Sequence, residues 1–207
     1  MTVKTAISRK KKITKNRTTS YLPWGTAQLL IKSLIADQKY NTALMLAGGI
    51  YFGLRIGDLL KLTWEQIESP AFEIHEIKTN KRRIVTVHPE FAKIRDKIKS
   101  LLPYYKQPSP KDFVFTSQEP RGSKYPISVQ AANKRFKKAL RTYQVDTANP
   151  SSHTLRKTFA RRLWETNGKN EASLILLSRV LNHRSISVTR IYIGITDEEI
   201  NNAYLML

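Results

Sequence analysis

The chain contains no cysteine and is poor in acidic residues: its 207 residues include 36 Lys and Arg but only 16 Asp and Glu. The absence of cysteine excludes a disulfide scaffold, a thiolate zinc site, an iron–sulfur cluster and a cysteine nucleophile. The formal net charge of +20 repels itself in the folded state, and an excess this large usually has a polyanionic partner. We therefore expect a nucleic acid to be that partner.

Long apolar runs are also missing. The longest uncharged apolar stretch is 43–54, well short of the roughly 20 residues that cross a bilayer. The first 20 residues are polar and basic and lack the apolar segment of a signal peptide. The composition therefore predicts a cytoplasmic protein that is associated with the nucleoid and not with a membrane.

Residues 1–20 form a basic arm without any acidic side chain. Its cations are Lys4, Arg9, Lys10, Lys11, Lys12, Lys15 and Arg17. We expect the arm to be flexible until it lies along a phosphate backbone, and a solubilising tail is the alternative interpretation. The remainder of the chain stays basic without the arm, so the expectation of a nucleic-acid partner does not depend on it.

From residue 26 onward the apolar spacing is mostly helical. Thr26 and Asn41 are predicted to cap the first two helices, and the second helix is predicted to end at Gly53. The period changes to two across 72–87, which predicts a small antiparallel sheet with a turn near Asn80. The later segments with helical spacing are 90–102, 128–141, 154–167, 171–181 and 186–193.

The chain shows no internal repeat and no second hydrophobic core. We predict one domain over 21–195 that is mainly α with a small antiparallel β-sheet, in the α+β class. A helical tail over 196–207 follows, because Thr196 opens a capping-box pattern. Apolar residues recur in this tail at helical spacing, and the stripe either packs on its own domain or docks on a neighbouring subunit.

Arg55 belongs to a cluster that suits the binding of an anion. It follows an apolar helix and a glycine, where packed neighbours can fix a guanidinium for bidentate contact with a phosphate. The alternative is that Arg55 forms an ion pair with Asp58, three residues later in the chain. The residues alone do not decide between these interpretations.

Two further clusters carry histidines. His153 and Arg156 are three residues apart and share a helix face, although most such pairs in a basic chain are surface groups. His183 precedes Tyr192 by nine residues, and either residue alone is more often structural than functional.

The order of these clusters along the chain resembles the tyrosine recombinase (phage integrase) family, over residues 24–195. The resemblance implies that 21–195 is a catalytic domain in which Tyr192 is the nucleophile. The residues implied to surround the scissile phosphate are Arg55, His153, Arg156 and His183. It also implies a hairpin lysine as general acid, for which Lys78 fits best and Lys81 is the competitor. Asp58 is implied to support the site.

The resemblance further implies a site-specific recombinase that cleaves and rejoins DNA through a 3′-phosphotyrosyl intermediate, with no metal and no cofactor. Cationic side chains suit this reaction because negative charge grows on the phosphate oxygens in the transition state. The implied partners are double-stranded DNA, further copies of the chain in a homo-oligomer (a tetramer) on DNA, and an accessory DNA-bending protein.

The predicted helix over 128–141 is a candidate DNA-binding surface. Its spacing places Val129 on the inward face and Arg135 on the outward, basic face. The cations expected to contact phosphates are Lys134, Lys137, Lys138 and Arg141, supported by Lys81 and Arg82 of the hairpin and by the basic arm. Phosphate contacts give salt-dependent affinity without sequence specificity, and a merely solvated basic face is the alternative.

The chain departs from the family pattern at several positions. Asn182 stands where glycine usually precedes His183, and asparagine tolerates the left-handed turn at a small cost. Lys157 stands where histidine is common, and Asn80 replaces a frequent hairpin glycine. The family's N-terminal core-binding domain is absent, which indicates a short member of the family or a piece of a longer protein.

Three other functions remain open from the sequence. A type IB topoisomerase would relax DNA as a monomer with the same residues. A non-catalytic DNA-binding protein could retain the fold without an assembled site. A basic RNA-binding protein would explain the charge but not the ordered His, Arg and Tyr positions.

Overall fold

The computed structural model describes residues 19–103, 107–116, 125–194 and 205. Its helices, in chain order, are α1 (Trp24–Ala36), α2 (Tyr40–Phe52), α3 (Ile56–Leu59), α4 (Trp64–Glu68), α5 (Pro89–Leu101), α6 (Val129–Thr142), α7 (Ser152–Thr166), α8 (Glu171–Val180) and α9 (Ile186–Ile193). Strands β1 (Ala71–His75) and β2 (Arg82–Thr86) form a two-stranded antiparallel sheet. The predicted class, mainly α with a small antiparallel sheet, is confirmed. The predicted basic arm and helical tail lie outside the described residues, apart from 19, 20 and 205.

Helix starts were predicted less well than helix ends. The cap predictions at Thr26 and Asn41 are wrong, because α1 begins after Pro23 and α2 after Lys39, without a capping side chain in either case. Packing stabilises these two apolar helices, so they do not need a cap. The predicted end of α2 is confirmed, since Gly53 has a φ of 56° in the left-handed region that favours glycine.

The hairpin pairs Phe72 with Val85, and both side chains are buried. Asn80 closes its turn with a φ of 50°, as the sequence predicted for a residue that tolerates positive φ. The strand alternation therefore turns one face of the hairpin toward the core.

Helix α2 is the centre of the main core and is buried along most of its length. Helix α7 packs closely against it, because a Cβ built on Gly49 would lie 2.7 Å from the side chain of Leu155. A separate small cluster contains Ala160, Leu177, Leu181 and Ile193 and joins α7, α8 and α9. The predicted single core is therefore divided into a large and a small cluster, because α8 and α9 pack mainly on α7 and on each other.

None of the helices described here is long and apolar enough to span a bilayer.

Candidate active site

Arg55 lies at the N-cap position of α3, immediately after the turn that ends α2. It does not pair with Asp58, so that alternative from the sequence is wrong. Its guanidinium Nη1 instead donates to a carboxylate oxygen of Glu76 at 2.7 Å. The Arg55 side chain keeps 22% of its surface exposed, which leaves room for an anion to contact it.

Asp58 is buried and faces the hairpin. Its Oδ1 accepts a hydrogen bond from the backbone N–H of Ile77 at 2.9 Å. Its Oδ2 has no hydrogen-bond partner among the described residues. Asp58 therefore attaches α3 to the hairpin turn that carries Lys78.

Glu76 follows β1 and has no exposed side-chain surface. Its Oε2 also accepts a hydrogen bond from the Thr79 hydroxyl at 2.7 Å, and its Oε1 lies 3.6 Å from Nη1 of Arg83. Burial acts to raise the pKa of Glu76, but the hydrogen bonds from Thr79 and Arg55 and the two arginine charges together lower it. A buried carboxylate therefore stays ionised between two guanidinium groups.

Arg156 is almost fully buried on α7 and is fixed by two carbonyl groups. It donates to Gly53 O and Leu181 O, at 2.7 Å in each case. The same carbonyl of Gly53 accepts from Arg83 at 3.4 Å, and Arg83 also donates to Phe52 O at 2.7 Å. Arg156 thus connects the end of α2 with the turn after α8.

His153 lies in the first turn of α7, where Ser151 caps the helix. Partial burial and neighbouring cations lower the pKa of its imidazole. The cations that lower it, in order of effect, are Arg156, Lys157, Lys78 and Arg55. The structure therefore brings one histidine, both predicted arginines and Lys78 into a single electrostatic neighbourhood.

His183 follows Asn182, which has the left-handed φ of 52° predicted from the sequence. The Nδ1 of His183 lies 2.9 Å from the hydroxyl of Thr189, a fully buried residue of α9. Burial and the charges of Arg156 and Arg55 lower the pKa of His183 to about 4. The imidazole is therefore neutral near pH 7.

Tyr192 lies on α9 with its ring edge-to-face on the ring of His183, at 5.1 Å between centroids. Its hydroxyl is buried and has no well-formed hydrogen bond within the described part of the chain. Burial raises the pKa of this phenol, whereas the nearby charges of Arg156 and Arg55 act to lower it. The ammonium group of Lys157 lies 5.3 Å from the centre of the Tyr192 ring.

The cations that were predicted to contact DNA, on the hairpin and on α6, lie at the surface. Lys78, Lys81 and Arg82 are exposed, and Arg82 pairs with Glu73 at 2.7 Å. The exposed cations of α6 are Lys134, Lys137, Lys138 and Arg141. The α6 prediction was wrong for two other residues: Arg135 is half-buried, and Val129 is 40% exposed because it lies in the first turn at the edge of the core.

Sequence reasoning missed three residues that organise the site. Glu76 and Arg83 form the buried ion pair, and Thr189 fixes the His183 ring. One signal was available, since Glu76 is the acid nearest to the turn of a basic hairpin. Arg83 is at the hairpin position that faces Ile74 and so shares the inward side of the sheet.

The described residues contain no cluster of three or more His, Asp or Glu side chains that could hold a metal ion. The site instead offers fixed guanidinium groups, a neutral imidazole and a buried phenol. This arrangement can bind a singly charged phosphate diester and stabilise additional charge on its oxygens.

Comparison with known proteins identified one family. The model of the phage integrase family matches residues 26–199. The chain is 26% identical over 175 residues to the probable integrase/recombinase YoeC of Bacillus subtilis, covering 84% of this chain and 88% of that protein. It is 29% identical over 180 residues to the tyrosine recombinase XerC of Rhizobium meliloti, covering 86% of this chain and 52% of the relative. The chain therefore spans about half the length of that XerC relative.

Solved structures share the fold. The structure of the XerA recombinase superposes with a TM-score of 0.70 at 20% identity, covering 92% of this chain and 64% of that one. A lambda integrase dimer bound to a COC′ core site superposes with a TM-score of 0.62 at 18% identity, covering 84% of this chain and 48% of the integrase chain.

Proposed function

Because the chain belongs to the phage integrase family, we propose that it is a site-specific DNA recombinase that cleaves and rejoins strands through a 3′-phosphotyrosyl intermediate. The observation that carries this proposal is the convergence, within one chain, of the buried Tyr192 hydroxyl with the fixed guanidinium group of Arg156. The relatives reported above are recombinases and integrases, so the topoisomerase alternative is not favoured.

Arg55 and Arg156 bind the non-bridging oxygens of the scissile phosphate in this proposal. Both stay protonated at neutral pH, and Arg156 is already held by two carbonyl groups before DNA arrives. His153 donates a further hydrogen bond at the mouth of the site. These donors stabilise the charge that grows on the phosphate oxygens as the tyrosine attacks.

The cleavage step exchanges one phosphate ester for another. The phenolic oxygen of Tyr192 forms a bond to phosphorus while the bond between phosphorus and the 5′-oxygen breaks. We assign the phenolic proton to the neutral imidazole of His183, whose ring contacts that of Tyr192. Thr189 holds the other ring nitrogen and so fixes the orientation of this base.

The leaving 5′-oxygen takes a proton from Lys78 in this proposal. One observation favours Lys78 over Lys81. The charge of Lys78 acts on His153, so the two side chains are neighbours.

A covalent-trapping experiment tests the nucleophile. Nicked duplexes with randomised sequence are incubated with the protein, so that cleavage releases a short strand and traps the rest on tyrosine. We expect wild-type protein to yield a denaturation-resistant adduct and a defined cleavage sequence. Tyr192→Phe should bind DNA without forming the adduct, and the matched variant Tyr40→Phe should form it normally. An adduct that persists in Tyr192→Phe, or none with wild-type protein, contradicts the proposal.

The exposed face of α6 is the proposed DNA-binding surface. Lys134→Glu with Lys138→Glu should weaken duplex binding and reduce the slope of log affinity against log salt by about 0.9 per lost phosphate contact. The matched control is Lys32→Glu, which reverses an exposed charge on α1. Unchanged affinity and salt slope in the α6 variant would remove this surface from the proposal.

We also propose that copies of the chain assemble as a tetramer on DNA. Three exposed apolar side chains of α8 and α9, Ile175, Leu176 and Val188, offer a surface for a neighbouring copy. Sedimentation analysis on DNA should show multiple copies, and Leu176→Glu should reduce the number. Recombination by the purified protein alone would show that an accessory DNA-bending protein is dispensable.

A further inference from the structure

We propose that Glu76 is a positioning residue that holds the Arg55 guanidinium group in place for the scissile phosphate, a role that rests on the proposed recombinase function. Glu76 lies outside the residues implied by the family resemblance. It does not contact the reacting atoms, and its influence passes through Arg55.

The hydrogen-bond pattern of Arg55 supports this role. Within the described residues, Glu76 is the hydrogen-bond acceptor of the Arg55 side chain, at 2.7 Å. Arg156, in contrast, is held by two backbone carbonyl groups. Arg55 is also the more exposed of the two arginines, so losing its single anchor frees the side chain to turn toward solvent.

The carboxylate of Glu76 also connects Arg55 to the hairpin turn. The oxygen that accepts from Arg55 accepts from the Thr79 hydroxyl as well, at 2.7 Å. The carbonyl of Glu76 accepts from the N–H of Asn80 at 2.8 Å, and Glu76 N–H donates to Lys81 O. The turn that carries Lys78 therefore has a fixed position relative to Arg55.

The negative charge of Glu76 also offsets the repulsion among the arginines of the site. Burial is the main cause of the lowered pKa of Arg83, and the positive charges of Arg156 and Arg55 lower it further. A buried carboxylate between Arg55 and Arg83 offsets this repulsion before DNA supplies a phosphate. With a neutral side chain at position 76 the repulsion among the arginines remains. Arg55 then moves, because part of its side chain is exposed to solvent.

The test compares two substrates in single-turnover cleavage at saturating enzyme. One is the ordinary trapping duplex, and the other carries a methylphosphonate at the scissile position. The methyl group replaces a charged non-bridging oxygen, so the neutral ester has less need of the Arg55 charge. We expect Glu76→Gln to slow cleavage of the ordinary duplex about 10- to 100-fold, less than outright removal of a transition-state donor. The same variant should cleave the methylphosphonate within about threefold of wild type, because the lost Arg55 contact matters little there.

Glu90→Gln is the matched control. Glu90 is an exposed glutamate paired with Lys93 at 2.7 Å, and its substitution should leave both rates unchanged. An equal loss on both substrates in Glu76→Gln overturns the positioning role, since a disturbed fold slows both reactions alike. If wild-type protein forms no adduct on either substrate, the proposed function itself fails and the role of Glu76 fails with it.

Glu76→Gln leaves Arg83 buried without its counter-charge and so risks unfolding the protein. If Glu76→Gln shows no thermal unfolding transition, the double variant Glu76→Gln with Arg83→Met is assayed instead, because it removes both charges of the ion pair. The double variant is compared with Arg83→Met alone, and the ratio of losses on the two substrates then decides the question.

Discussion

Arg55 and Tyr192 lie in different parts of the core: Arg55 follows α2 of the large hydrophobic cluster, whereas Tyr192 lies on α9 against the small cluster. Arg156 joins the two parts, because it donates to Gly53 O at the end of α2 and to Leu181 O in the small cluster. The large cluster draws on α1, α2, α5, α6 and α7, but the small one has four fully buried apolar residues among those described: Ala160, Leu177, Leu181 and Ile193. Less buried apolar surface means a lower free energy of local opening. The difference indicates that the helix ahead of Arg55 is fixed in advance, whereas Tyr192, the proposed nucleophile, is on the more easily displaced element.

Removing a fixed arginine should have the largest effect on cleavage. Arg156→Ala takes away a proposed donor to the phosphate and removes the side-chain hydrogen bond to the carbonyl of Leu181. We expect the single-turnover cleavage rate to fall about 10³-fold while duplex affinity changes little. A comparable loss of affinity would show that Arg156 acts in binding instead.

The junction between α2 and α7 should be the most sensitive point for stability. A Cβ on Gly53 would lie 2.2 Å from the Phe159 ring, at a φ of 56° that L-residues rarely adopt. We expect Gly53→Ala to lower the free energy of unfolding by about 2–4 kcal/mol in urea titrations. Gly25→Ala is the matched control, since a Cβ there meets nothing within 4 Å. An equal loss in both variants would contradict the close packing.

Leucine truncations should separate the two clusters. Leu46→Ala in the large cluster should cost about 2–5 kcal/mol of global stability. Leu177→Ala in the small cluster should mainly speed amide exchange in α9 and slow cleavage, leaving exchange in α2 unchanged. Hydrogen exchange read by mass spectrometry distinguishes these results. Equal acceleration in both helices would show that the clusters open as one unit.

The pH dependence of the free energy of unfolding should report on the burial of His183, next to the small cluster. His183 has a pKa lowered to about 4 in the folded protein, against 6.5 as its ordinary value. Between pH 6.5 and pH 4 this histidine is protonated in the unfolded chain but neutral in the folded chain. Its contribution to the free energy of unfolding is therefore complete above pH 6.5 and is lost as the pH falls toward 4. We expect this histidine to contribute a loss of about 2 kcal/mol. His183→Gln should flatten the profile by that amount in urea titrations, and an unchanged slope would contradict the burial of the ring.

Sequence reasoning predicted what depends on local chemistry. Apolar spacing identified the longer helices but not the short α4, and the turns at Gly53, Asn80 and Asn182 followed from the tolerance of these residues for positive φ. The partner of Arg55 could not be predicted the same way, because Glu76 is 21 residues away and reaches it only after the hairpin folds. Asp58 was the nearer acid in sequence, but its carboxylate faces the backbone of Ile77.

The sequence also did not predict that the core is divided into two clusters. Leu177 and Leu181 have the same apolar character as the leucines of α2, and only their packing partners assign them to the small cluster. Arg83 was not expected to be buried, because a cation in a basic hairpin usually faces solvent. Its burial depends on the carbonyl groups of Phe52 and Gly53, which the fold brings to it.

A mixing experiment tests whether the proposed nucleophile and the arginines of one active site belong to the same chain. Arg156→Ala keeps Tyr192, and Tyr192→Phe keeps both arginines, so each variant lacks a different part of the site. The two inactive proteins are mixed on the trapping duplex, and covalent adducts are counted on a denaturing gel. We expect no adduct above that of either variant alone. Recovery of adduct in the mixture would show that Tyr192 attacks at a phosphate held by a neighbouring subunit and would contradict this expectation.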